Sequence, residues 1–203
     1  MRASLRRPAP SRTPAPSSRR STPFLEKLVT PALLAGVVLL AVGVAAILDE
    51  PVADKVAAAS VSLVGLGLTL PIVRRMAEPA DVRFVGRVVL AGICLRLGLA
   101  MVVHAFLPPG FFAPDQLTYQ RVGYRALLYE QGISPLPWQL EDTWEVGYFY
   151  WNAFLFWIFG FAPLAPKIAN CFFGAWIGVV AYRITGELVG RGGARRAAVL
   201  VTF

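Results

Sequence analysis

VGYFYWNAFLFWIFGFAPLAPKIANCFFGAWIGVVAY, residues 146–182, is the stretch whose reading decides the fold. It carries one charge, Lys167. Two arrangements fit it. In one, a hairpin of two helices crosses a membrane twice and leaves Arg183, Arg191, Arg195 and Arg196 on the outside. In the other, Gly147–Gly160 lies at the membrane surface and only Pro166–Gly186 crosses, which keeps those arginines inside. Composition favours the second. Nine of the 14 residues from Tyr148 to Phe161 are aromatic, and rings with a polar atom prefer the headgroup level. Cytoplasmic loops are also the ones that carry excess Lys and Arg.

The same logic extends toward the N-terminus. Leu28–Leu48 has no charged residue in 21 positions, Val56–Val73 has none in 18, and Val88–Leu107 has one, Arg96. About 20 helical residues cross a hydrocarbon core about 30 Å thick. The spacing therefore predicts three spans before residue 108 and a fourth at Pro166–Gly186. The short loop Asp49–Lys55 carries acids and fits the outside, with Asp49 and Glu50 as boundary charges. The loop bearing Arg74, Arg75, Arg83 and Arg87 fits the inside. Pro108–Glu145 then lies on the outer face.

Composition agrees with this class. Hydrophobic residues are 56% of the 203 and charged ones 16%, against about 25% charged in an ordinary soluble domain. The net charge of +8 does not point to nucleic acid. Six arginines and no acid fall in the first 22 residues, and most other cations flank apolar runs, as topology signals and contacts to membrane lipid do. Residues 1–27 are rich in Arg, Ser, Pro and Ala and cannot bury a core, so they read as a disordered cytoplasmic tail. An acid-poor start of this kind also mimics a transit peptide. Cys94 and Cys171 sit in apolar runs without metal-ligand spacing and read as small buried hydrophobes. The expectation is an all-α, multi-pass helical bundle of the plasma membrane, its N-terminus cytoplasmic. The apolar segment Ala197–Phe203 is too short to cross, and the expectation is an N-terminal part of something longer.

The outer loop carries FFAPDQLTYQRVGYRALLYEQG, residues 111–132. Tyr119, Val122, Ala126 and Tyr129 follow helical spacing, with Gln116, Gln120, Arg121 and Arg125 opposite. That is an amphipathic helix for the membrane surface, with Asp115 at its N-terminus. Aspartate there serves as a helix cap; a carboxylate at the membrane–water boundary also suits a general base. Spacing alone does not separate the two.

The order of features resembles a known family. A span with an internal arginine is followed by PDQLTY, a surface helix, GYFYWNAFLFWIFG, and then APLAPKIANCFFGAWIGVVAYRITGELVG. This is similar to the N-terminal module of the GT-C membrane glycosyltransferases, nearest to protein O-mannosyltransferases and lipid A aminoarabinose transferases. The resemblance covers about residues 88–203 and leaves 28–87 as two additional transmembrane helices with a cytoplasmic loop. It implies a first outer loop with an essential aspartate, two juxtamembrane helices and the next span. The implied reaction moves a sugar from a polyprenyl-phosphate-linked donor to a hydroxyl, with Asp115 as base, Tyr119 at the family spacing, and Lys167 and Arg96 as cations for the substrate. The family often has a second acid where Gln116 stands, which leaves use of a divalent metal open. Its later helices, which complete the donor pocket, would come from a further C-terminal portion or a partner subunit.

Other residues have plainer readings beside this one. Lys167 is also a snorkelling lysine. Arg96, at mid-span, costs about 2.5–3.5 kcal/mol on insertion scales and must face protein or a polar cavity. His104 is an interfacial hydrogen-bonder or a proton relay. Glu141, Asp142 and Glu145 read as a solvated loop face, and Tyr148 and Trp151 as interface aromatics. The alternative for the whole chain is a non-enzymatic multi-pass protein, such as a transporter or an assembly subunit.

Overall fold

The computed structural model describes residues 50–108, 115–134 and 146–203, together with Val29, residues 31–37, Leu40 and Val44. The basic tail, most of the expected first span, Asp49 and the acids Glu141, Asp142 and Glu145 lie outside the described residues. The helices are α1 (Val52–Met76), α2 (Val82–Phe106), α3 (Asp115–Glu130), α4 (Val146–Phe159), α5 (Leu164–Val189) and α6 (Arg191–Thr202). Residues 31–37 are also helical, and among the described residues there is no strand. The fold is an all-α bundle.

Among the described residues three helices are long and apolar enough to cross a membrane: α1 and α2 with 25 residues each, and α5 with 26. At a rise of 1.5 Å per residue each is about 38 Å long, enough for a hydrocarbon core of about 30 Å. Their outward faces are apolar. Val56, Leu63 and Val64 of α1, and Ile177, Ile184 and Leu188 of α5, are each more than half exposed. Such a surface suits lipid rather than water. The 14 residues of α4 reach about 21 Å and do not cross.

Local chemistry sets the ends. Asp54 lies in the first turn of α1, and Arg74 and Arg75 in its last turn, each favoured by the helix dipole. Pro163 and Pro166 open α5, where first-turn N–H groups have no intrahelical partner to lose. Gly190 ends α5 with φ +84°, a left-handed turn that suits glycine.

Two helices differ from the sequence expectation. Helix α2 starts at Val82, so Arg83 and Arg87 belong to its first turns rather than to a loop. Hydropathy marks the stretch inside hydrocarbon, whereas helical hydrogen bonding continues past it. The apolar segment at Ala197–Phe203 is the second half of α6, which folds back along α5.

In lipid there is little hydrophobic gain in bringing helices together, so close contact through small residues matters. Helix α5 is the hub. A Cβ at Gly65 of α1 would fall 2.6 Å from the Phe172 ring, so that ring lies on bare backbone. Trp176 Nε1 donates to Thr69 Oγ1 of α1 at 3.0 Å. Thr202 of α6 enters a gap between Gly92 of α2 and Gly178 of α5, where added Cβ atoms would meet it at 2.2 and 2.0 Å. Ala57, Leu155, Ala162, Ala165 and Ala169 form a second small cluster that seats α4 against α1 and α5.

Polar contacts show which helix ends meet. Asp81, between α1 and α2, is fully buried. It accepts hydrogen bonds from Tyr182 Oη at 2.8 Å, from Arg191 Nε at 2.9 and 2.8 Å, and from Arg195 Nε at 3.1 Å. Arg195 also lies 4.9 Å from the Phe84 ring centre, a cation–π contact. The connection between α1 and α2 and the connection between α5 and α6 therefore share one end of the bundle. Burial pushes the Asp81 carboxyl up, but hydrogen bonds from Arg191, Arg195 and Tyr182 outweigh it and hold the group well below the usual carboxylate range. At the opposite end Asp54 Oδ1 accepts from Leu164 N at 3.0 Å, which brings the starts of α1 and α5 together. The chain thus passes once, not twice, between the α4 layer and the Asp81 end.

Candidate functional site

The end opposite Asp81 gathers the polar chemistry. Helix α3 lies on α4 through Gly123, where a Cβ would meet Asn152 Cβ at 2.7 Å and Phe149 O at 3.1 Å. The buried residues of α3 are Gln120, Gly123 and Ala126. This corrects the apolar stripe read from sequence: Tyr129 is 42% exposed, while Gln120, assigned to the polar face, is buried. Close approach at a glycine turned the helix, overriding side-chain hydropathy. Arg121 and Arg125 are exposed, as expected.

Asp115 is exposed in the first turn of α3. One turn later Tyr119 packs edge-on to Tyr148 of α4, ring centres 4.8 Å apart, and against Phe149 at 5.5 Å. Asn170 Nδ2 of α5 donates to Tyr148 Oη. One turn before Asn170 stands Lys167. Residues from α3, α4 and α5 are thus joined in one line by ring contacts and a hydrogen bond, and Asp115, Tyr119 and Lys167 share this end of the molecule. An open groove of about 340 Å³ runs between α3 and α4, lined by Ala126, Leu127, Glu130, Tyr150, Phe154 and Trp157 among others.

Lys167 is not simply a lysine reaching for water. Its Nζ lies 2.9 Å from His104 Nδ1 of α2. His104 Nε2 lies 3.3 Å from Glu50 Oε1, with the His and Glu side chains 18% and 31% exposed. The distance suits an ion pair only when the ring is protonated, and the contact lies off the line of a hydrogen bond. Asp54, one turn past Glu50, caps α5 from across the bundle by taking up a first-turn N–H.

Arg96 stands apart from this line. Its Nε donates to Thr202 O at 3.2 Å, and its guanidinium lies over Gly174, whose Cβ would meet Nη1 at 2.8 Å. Gly174 is seven residues from Lys167 on the same face of α5, so Arg96 sits about 10 Å deeper in the bundle. The deep arginine faces protein, as its insertion cost requires.

Sequence reasoning missed the roles of Glu50, Asp54, Asn170 and Asp81. A signal existed for the first pair, because carboxylates four residues apart at the start of a span share a face. No local signal pairs Asn170 with Tyr148 or Asp81 with residues 110 and 114 positions away. Among the described residues no group of His, Cys, Asp and Glu has the arrangement to hold a metal ion. No protein-family model, curated protein or solved structure matches this chain.

Proposed function

We propose that this chain is the membrane-embedded N-terminal module of a GT-C-like glycosyltransferase that uses a polyprenyl-phosphate-linked sugar. The observation that carries the reading is the exposed carboxylate of Asp115 at the start of a surface helix whose Tyr119, one turn on, packs on Tyr148, which in turn accepts from Asn170 on the stretch of α5 that bears Lys167. Asp115 takes the proton of the acceptor hydroxyl as its oxygen attacks the anomeric carbon. The bond from that carbon to phosphate breaks, and the phosphate leaves with the electron pair. The transition state is oxocarbenium-like, as in glycoside hydrolysis. Lys167 meets the charge that grows on the leaving phosphate. The apolar groove beside α4 suits the first isoprene units, and Tyr119 suits the sugar face. Arg96 lies too deep for the headgroup and supports the bundle instead.

Membranes carrying the full-length protein test this with polyprenyl-phosphate mannose and polyprenyl-phosphate aminoarabinose in separate reactions. Labelled sugar should reach a hydroxyl acceptor from one of them. Asp115→Asn should insert normally and lower transfer about 100-fold or more. Transfer at the wild-type rate in that variant assigns the base elsewhere. Absence of transfer from either donor favours the transporter or assembly-subunit reading.

A further inference from the structure

His104 is the one histidine of the chain, and it stands between a cation and an anion. Lys167 Nζ lies 2.9 Å from Nδ1 on one side, and Glu50 Oε1 lies 3.3 Å from Nε2 on the other. An ammonium has N–H donors and no acceptor. With Lys167 charged, so close a contact requires a lone pair on Nδ1, and therefore a neutral ring with its proton on Nε2. That tautomer puts the remaining N–H on the side of Glu50, 3.3 Å away and off the line of a hydrogen bond. Adding a second proton at Nδ1 would set donor against donor and cation against cation, in a partly buried place where water screens poorly.

We propose that His104 is a proton-operated latch on Lys167. The neutral imidazole holds the ammonium; the imidazolium repels it and turns to Glu50. The charged groups that face the ring are Glu50 just before α1, Asp54 in its first turn, and Lys167 from α5. Lys55 follows Asp54 on α1, and Arg96 is the charge deeper on α2 itself. The Asp54–Leu164 cap joins the ends of α1 and α5 that bear Asp54 and Lys167, so the latch moves side chains and leaves those helices in place. What the latch releases rests on the reading above: a freed Lys167 is the cation offered to the donor phosphate, so lipid phosphate binds more tightly below the pH at which the ring charges. The latch itself does not depend on that reading.

The test uses the full chain in lipid nanodiscs with 15N-labelled histidine, where the nitrogen shifts report the state of His104 directly. At pH 8 the ring should be the neutral Nε2–H tautomer. Lys167→Gln should charge at a higher pH than Glu50→Gln, the two separated by about one pH unit or more. A ring found as the Nδ1–H tautomer at pH 8 overturns the proposal, and so do variants that titrate together. If either variant fails to fold, the tautomer of the unsubstituted protein decides alone. Binding of polyprenyl monophosphate, measured on both sides of the ring's midpoint, separates the two readings. With the tautomer and the variant order as stated, equal binding at both pH values removes Lys167 as the donor's cation and leaves the latch standing.

Discussion

Asp81 shows most directly how one residue organises this molecule. A buried carboxylate is costly unless fully paired, and here two guanidinium groups and a phenol pair it. Asp81→Asn should destabilise the protein by about 2–3 kcal/mol, read by thermal unfolding in detergent. The lower end applies because Arg191 is 47% exposed and can turn to water. Tyr182→Phe removes a single hydrogen bond and should cost about 1 kcal/mol. The pH dependence follows from the depressed carboxyl. Its contribution is fully present above the ordinary carboxylate value of about 3.9 and is lost progressively as pH falls from there through the lower folded value. The stability gap between wild type and Asp81→Asn should therefore stay flat between about pH 5 and pH 8. A gap that closes within that range means the clasp is not what holds the proton off. None of this was legible locally, since Asp81 reads as a loop acid before a span.

Helices in this bundle meet where side chains are missing. Gly123 lets α3 reach the backbone of α4, and Gly178 and Gly92 admit Thr202 of α6. Gly123→Val should lower stability by about 1–3 kcal/mol and expose α3 to protease. Gly147→Ala in α4 is the control, because nothing lies within 4 Å of its added Cβ. Equal protease resistance in both variants would mean that α3 does not rest on Gly123. Helix existence was legible from apolar runs and aromatic density. The facing side of α3 was not, because hydropathy assigns Tyr129 inward and Gln120 outward, while the contact is decided by how near two backbones can come.

At the scale of the whole molecule, the pairing of ends is the testable property. Single cysteines at Gln131 and at Arg196, in a background with Cys94 and Cys171 replaced by alanine, should react with a membrane-impermeant maleimide from opposite sides. Gln131 follows α3 at the end that holds His104 and Lys167, and Arg196 belongs to the helix clasped by Asp81 at the other. Labelling of both from one side would restore the hairpin reading of residues 146–182.

The amino-acid sequence by itself determined the class and three of the expected spans, and it favoured the single crossing in that stretch. Long uncharged runs must satisfy their backbone within a helix once in lipid, and arginine placement distinguishes the two ends. It also pointed to Asp115, Tyr119 and Lys167 through a resemblance of order and spacing. Only the tertiary structure decided that Lys167 meets one nitrogen of His104 and Glu50 lies beside the other, that Asp54 caps α5, and that Arg96 faces Gly174 and Thr202. The reason is physical. Periodicity and composition report how each helix meets its solvent, whereas these contacts join residues 54 to 110 positions apart only where glycines let helices close and buried charges must find partners.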